Sequence, residues 1–168
     1  TYPEYSDKSE VFYNLLDVEM IRQKSHENNL KIKKEKIWLV TVGRLAIQKG
    51  YDIATKTAAI LKNRGYDFEW LALGDGAERE LVEKWIRENK VQDCFKLLGR
   101  VENPYPYIKN ADLYIQTSHN EGYGLAIAEA KILGKVVIST DLNCVREQIN
   151  NGENGFLVEK DPYKLAEA

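Results

Sequence analysis

The sequence predicts an α/β fold, a doubly wound parallel sheet with helices on both faces. Two observations carry this. Short runs of apolar, β-branched residues alternate with stretches whose apolar residues recur at helical spacing. The connections between them are short and often marked by glycine. Parallel strands need a crossover between each pair and are buried on both faces, so they read as continuous apolar runs.

The polar start, Thr1 to Ser9, is expected to be poorly ordered. Val11 to Leu16 is apolar, and Asp17 is placed to cap a helix reaching about Glu27. Asn28 to Lys36 is basic without an apolar face and reads as a linker or exposed loop. Ile37 to Val42 is the first buried strand, and Asp52 to Arg64 a helix that Gly65 is placed to stop. Phe68 to Leu73 is the second strand, followed by Gly74-Asp75-Gly76 and a helix to about Asn89. Cys94 to Leu98 is the third strand, and Pro104 to Lys109 a short helix. Leu113 to Gln116 is the fourth strand, Gly122 to Leu133 a helix, and Lys135 to Ser139 the fifth strand. Leu142 to Ile149 is a further helix, Gly155 to Val158 a last strand, and Pro162 to Ala168 another amphipathic helix.

A chain of 168 residues suits one domain with a sizeable core. Its 43% hydrophobic and 30% charged residues fit a soluble globular protein. A formal charge of −2 makes no general electrostatic case for nucleic acid or an anionic membrane. Cys94 and Cys144 form no C-x-x-C pair and no metal-ligand cluster with His26 or His119, so they read as buried thiols in a reducing cytosol. No apolar run approaches the roughly 20 residues of a membrane span, and no signal peptide is expected. The chain opens at Thr1 without a Met and ends at Ala168 inside a helical pattern, so a piece of a longer protein is expected.

In a doubly wound sheet ligands sit beyond the carboxyl ends of the strands, so the loops there are where chemistry is expected. After the first strand, Gly43 and Gly50 permit tight turns, and Arg44 and Lys49 put two cations before a helix. That is a seat for a phosphate or diphosphate, although two solvated cations would look the same. Gly74-Asp75-Gly76 is weaker and could be a tight turn with Asp75 as helix cap. After the fourth strand, Gly122 and Gly124 flank Tyr123, where backbone N–H groups can face an anion. Glu121 precedes that helix and Glu129 follows eight residues on. Eight helical residues span about 12 Å, too far for the roughly 5 Å carboxyl pair of a retaining glycosidase. The spacing suits two carboxylates gripping opposite ends of one long ligand. Glu129 lies among Ala126, Ile127, Ala128 and Ala130, a setting in which a carboxylate calls for a partner.

These residues resemble the C-terminal, donor-binding domain of the GT-B fold, in particular family 4 of the retaining glycosyltransferases. The resemblance runs from about Val11 to Ala168. It rests on Gly43-Arg44 with Gln48-Lys49-Gly50, Gly74-Asp75-Gly76, Leu98-Gly99, Ala111-Asp112, and above all Glu121-Gly122-Tyr123-Gly124 with Glu129-Ala130. Gly134, Val136-Val137, Glu147 and Gly152 to Val158 continue it. It implies a Rossmann-like domain over 37–168, with 1–36 as interdomain segment and linker and the acceptor domain absent from this chain.

The resemblance also implies roles. Arg44 and Lys49 would bind the diphosphate of a nucleotide sugar and stabilise the charge on the leaving group. Glu121 would face the sugar's hydroxyls or its reacting carbon. Gly122, Tyr123, Gly124 and Leu125 would present backbone N–H groups, and Glu129 would accept from the ribose hydroxyls. Arg100 and Val101, after Gly99, would border the base, and Gly43 and Gly74 would let the backbone pass close to the nucleotide. UDP, GDP or ADP sugars are the implied donors, UDP the first expectation, with a glycan or lipid-linked acceptor. No cofactor and no metal are expected, since the chain has no Asp-x-Asp pair. The expected location is cytoplasmic, with membrane association only through the missing half. Tyr123 stands where Phe is more usual, Lys135 where proline is common, and Asn143-Cys144 where glycines often occur. His119 is at a variable position and reads as a solvated loop residue.

Two other readings remain. One is a nucleotide-sugar epimerase of similar fold, against which the glutamate pair and Lys49 weigh. The other is a dinucleotide-binding or regulatory module, which requires Gly-x-Gly-x-x-Gly after the first strand; Gly43-Arg44-Leu45 does not supply it.

Overall fold

The computed structural model describes residues 15–27, 30 and 33–168. The expectations for Thr1 to Ser9 and Val11 to Asn14 lie outside these residues, as does part of the basic stretch. Six parallel strands form one sheet: β1 (Ile37–Val42), β2 (Phe68–Leu73), β3 (Phe95–Gly99), β4 (Leu113–Gln116), β5 (Val136–Thr140) and β6 (Gly155–Val158). Around it lie α1 (Val18–Lys24), α2 (Tyr51–Asn63), α3 (Arg79–Glu88), α4 (Tyr105–Asn110), α5 (Leu125–Ile132), α6 (Asn143–Arg146) and α7 (Pro162–Glu167). Asp17 caps α1, its carboxylate accepting from the Met20 N–H at 2.9 Å, and α1 packs against α4 and α5 with Ile21 buried. No described helix is long and apolar enough to cross a membrane.

The strand order is β3-β2-β1-β4-β5-β6. The chain therefore builds outward from β1 to β3, then returns across β1 to lay down β4 on its other side. The switch point lies between β1 and β4, and a crevice opens there because the connections leave toward opposite faces. Period-two alternation splits the core in two. Leu39, Trp70 and Phe95 face α2, α3 and α7, while Trp38, Val40 and Tyr114 face α4 and α5. The Trp70 and Phe95 rings stack at 5.4 Å, and the Trp70 indole N–H donates to Thr41 Oγ1 at 3.0 Å. At the far end of the switch point, Asp112 accepts from the Trp38 N–H at 2.8 Å and pins the start of β4 to β1.

Three helices differ from the expectation. α3 starts at Arg79 rather than just after Gly76; Asp75 does not cap it but accepts from the Gly76 N–H at 2.9 Å. α5 starts at Leu125 rather than Gly122, because Gly124 takes a left-handed conformation with φ 85° that breaks the helical path. α6 is one turn, Asn143–Arg146, rather than reaching Ile149. Before α3 the loop is held instead by backbone bonds to the loop after β1, the Leu45 N–H to the Asp75 carbonyl and the Glu78 N–H to the Leu45 carbonyl.

Close approach of backbones holds the loops at the crevice. A Cβ on Gly74 would lie 2.0 Å from the Gly43 carbonyl oxygen, and one on Gly50, at φ +66°, would lie 1.9 Å from that of Thr117. Gly65 also has positive φ, yet nothing lies within 4 Å of its Cβ position. Gly65→Ala is expected to cost only the left-handed backbone penalty of about 1–2 kcal/mol in urea unfolding. Gly50→Ala should cost at least about twice as much, because the clash adds to the strain. Equal losses would show that the loops do not depend on this contact.

Candidate active site

The loop after β1 and the loop after β4 meet at the switch point. The Gln48 carbonyl accepts from the His119 N–H at 2.8 Å, and Thr117 Oγ1 donates to the Lys49 carbonyl at 3.0 Å. A single 3-10 turn, Ile47–Lys49, carries Lys49 inward, and its stem passes beside Gly43.

Lys49 Nζ lies 2.6 Å from Glu121 Oε1. Their side chains keep only 18% and 8% of their surface exposed, so the carboxylate is nearly out of water. A buried charge is tolerated only when well paired and hydrogen-bonded. Here Gln116 Nε2 and Ser118 Oγ each donate to the same oxygen at 2.6 Å. The Gln116 amide is in turn oriented by the Tyr114 hydroxyl, which donates to its Oε1 at 2.9 Å. With its oxygen committed to Tyr114, Gln116 presents its amide N–H to Glu121.

Glu129 takes a different environment on the first turns of α5. The Tyr105 hydroxyl donates to its Oε1 at 3.1 Å. Burial pushes the Glu129 carboxyl above the ordinary glutamate value, and the Tyr105 bond partly offsets this. Burial, and then the Glu129 charge, push the Tyr105 hydroxyl up to about 12.

A cleft of about 380 Å³ brings these groups together, lined by Lys49, Gln116, Glu121, Tyr123, Gly124, Leu125, Ala126 and Glu129. The stretch from Glu121 to Glu129 is only partly helical, against the expectation of a helix from Gly122. Glu121 lies four residues before α5 begins, and both glutamates line one cleft. Gly124 is the residue before α5, no side chain caps that helix, and Leu125 begins it at the cleft. Gly122 is exposed in the preceding loop, and the Tyr123 carbonyl accepts from Gln148 Nε2.

The other expected residues lie outside this lining. Arg44 is exposed on the loop after β1, and its guanidinium has no ion-pair or hydrogen-bond partner among the described residues. Gly43 and Gly74 meet backbone to backbone beside the cleft, and Arg100 is exposed just after β3. Val101 packs against the core on the α4 and α5 side. His119 is half-buried rather than solvated, its Nε2 2.8 Å from Asp52 Oδ1. Cys94 is buried, but Cys144 is only partly so, and its thiol donates to the Glu121 carbonyl at 3.4 Å. Among the described residues, no three His, Cys, Asp or Glu side chains gather as metal ligands would.

Sequence reasoning missed Gln116, Ser118 and Tyr105. A polar residue closing the buried strand β4 was a signal for Gln116, and Ser118 follows at the same alternation. Tyr105 gave none, since it sits on another element, 24 residues before Glu129.

The model of the glycosyl transferases group 1 family matches residues 22–168. The chain belongs to this family. It is 31% identical over 137 residues, 79% of its length, to a 2-deoxystreptamine N-acetyl-D-glucosaminyltransferase of Niallia circulans, of which it covers 35%. It is 30% identical over 155 residues, 92% of its length, to a Campylobacter jejuni enzyme, of which it covers 41%. That relative is the N-acetylgalactosamine-N,N'-diacetylbacillosaminyl-diphospho-undecaprenol 4-alpha-N-acetylgalactosaminyltransferase. The chain thus spans less than half the length of these curated relatives. In fold it is similar to Anabaena Alr3699/HepE, solved in complex with UDP and glucose, with a TM-score of 0.72 and 23% identity over 90% of this chain and 40% of that one. The sheet is that of a GT-B glycosyltransferase domain. Family membership favours neither the epimerase nor the dinucleotide-binding reading.

A carboxyl whose pKa is higher in the folded than in the unfolded chain binds its proton more tightly when folded. Stability therefore falls as pH rises through the window between the two values. Removing the Tyr105 hydroxyl raises the Glu129 value further and deepens that loss. Tyr105→Phe is expected to cost about 1–2 kcal/mol in urea unfolding at pH 7 and less at pH 4. The same cost at both pH values would mean that the hydroxyl does not act on the Glu129 charge.

Proposed function

We propose that the cleft holds the nucleoside-diphosphate part of a sugar nucleotide, and that the full protein transfers its hexosyl group with retention. The observation that carries this reading is the meeting of Lys49, Glu121 and Glu129 in one cleft at the sheet's switch point. Lys49, joined by the exposed Arg44, would bind the diphosphate and stabilise the charge on the departing phosphate oxygen. Glu121 would accept hydrogen bonds from the sugar's hydroxyls or stand beside its reacting carbon. Glu129, on the next turn of the wall, would accept from the two ribose hydroxyls. The backbone N–H groups around Gly124 and Leu125, at the start of α5, would face sugar and phosphate. Arg100 and Val101 would border the base.

These cations make a metal unnecessary in the reading, and no cofactor is proposed. UDP is the first donor base to test. The acceptor would be a glycan or a lipid-linked sugar bound by an N-terminal domain. The name of the Campylobacter jejuni relative, with its diphospho-undecaprenol acceptor, supports the lipid-linked class. This chain alone would then transfer little or nothing. The enzyme would work in the cytoplasm, reaching the membrane only through that other half.

Calorimetric titration of the chain with UDP, GDP, ADP and NAD tests the reading. One nucleoside diphosphate should bind. Arg44→Ala with Lys49→Ala should weaken it at least about tenfold while weakening the parent nucleoside far less. Glu129→Ala should weaken diphosphate and nucleoside alike, from the ribose contact. EDTA should leave binding intact, and its loss would place a metal in the site. Binding of NAD alone, or of no diphosphate, would overturn the reading.

A further inference from the structure

Among the described residues lining the cleft, one lysine stands against two glutamates, so the lining itself is not cationic. In this structure the Lys49 ammonium is already engaged by the Glu121 carboxylate at 2.6 Å. Lys49, Gln116 and Ser118 converge on one oxygen and fix that carboxylate in place. A diphosphate seated on Lys49 must share the ammonium with a fixed negative charge that is nearly out of water, where screening is weak.

On the proposed donor reading, the two ligands of this site differ in how they meet that charge. In the sugar nucleotide, the hexose caps the outer phosphate and lies between it and Glu121, and its hydroxyls donate to the carboxylate. Transfer breaks the bond from the anomeric carbon to the phosphate oxygen and leaves the electron pair on that oxygen. The anomeric carbon bonds to an acceptor hydroxyl oxygen, whose proton is released. The nucleoside diphosphate left behind has one more ionisable oxygen, ionising near pH 6 as in other phosphate monoesters, and no spacer. It faces Glu121 directly.

We infer that Glu121 is a specificity-determining residue that favours the sugar-capped diphosphate over the bare one, so that the spent nucleotide is expelled by the carboxylate that held the sugar. Gln116, itself oriented by Tyr114, is a positioning residue for it. This inference rests on the donor reading above. It differs from a plain contact role in sign: removing the Glu121 charge improves binding of the product while harming the substrate.

The test is calorimetric titration of the chain and two variants with UDP, UDP-glucose and UDP-N-acetylglucosamine, or with the corresponding GDP or ADP pair if that base is the one bound. Glu121→Gln should bind the bare diphosphate tighter by about threefold or more. The same variant should bind the sugar nucleotide no better than the unaltered chain. Glu121→Asp keeps the charge but shortens the reach. It should leave the bare diphosphate within about twofold and weaken the sugar nucleotide. If Glu121→Gln weakens both ligands in proportion, or if Glu121→Asp tightens the bare diphosphate, the carboxylate is not the discriminator. Circular dichroism checks that each variant is folded, and Glu121→Asp carries the test if Glu121→Gln is not. Failure of the unaltered chain to bind any nucleotide overturns the donor reading as well; binding with an unchanged preference overturns this inference alone.

Discussion

The contact between the loop after β1 and the loop after β4 organises this domain. A parallel sheet whose connecting helices cover both faces begins in its middle and grows to either side, and here the beginning is β1. The return to β4 places two loops side by side whose touching residues lie about seventy positions apart in the chain. Gly50 has no side chain, so its backbone rests against the Thr117 carbonyl, and the Gln48 carbonyl takes the His119 N–H. Because the backbones are locked, Lys49 and Glu121 are held at pairing distance without relying on the flexibility of two long side chains.

The pair is costly to build. Desolvating a carboxylate and an ammonium can exceed the gain from their attraction, and isolated buried pairs contribute little net stability. The fold offsets this by giving one carboxylate oxygen three donors, one of them the amide of a strand residue that is 2% exposed. Tyr114, wholly buried and two residues before Gln116 on β4, orients that amide and so connects core packing to the placement of the Glu121 carboxylate. Glu129 is handled differently, with one neutral hydroxyl and partial burial. Two carboxylates only eight positions apart thus sit in different surroundings, one held by a cation and two neutral donors, the other met by a single hydroxyl and pushed above the ordinary glutamate value by burial.

The fold was legible from sequence because it follows from periodicity. All six strands and the helices between them appear where apolar runs and helical spacing place them, within a few residues. The exceptions are instructive. The helix after Glu121 read as starting at Gly122 because glycine carries no apolar signal of its own; the left-handed turn at Gly124 delays it by three residues. That shift leaves only the second half of the stretch between the two glutamates helical, and both line one cleft. In the site, Lys49, Glu121 and Glu129 were legible as charged residues in loops or on apolar helix faces, where a charge demands a reason. Gln116 and Tyr105 were not, because a glutamine at a strand end and a tyrosine on a short helix are ordinary until their partners are known.

By itself the sequence determined the class of sheet, the order of its elements, and which loops carry charge beyond the strand ends. These are local properties, set by side-chain alternation and turn chemistry within a few residues. The tertiary structure decided which charges meet. It put Lys49 on Glu121 rather than on solvent, left Arg44 outside the cleft lining, and gave Glu129 the Tyr105 hydroxyl. Those pairings depend on strand order and on the close approach of backbones distant in sequence, and both are fixed only when the sheet closes around β1.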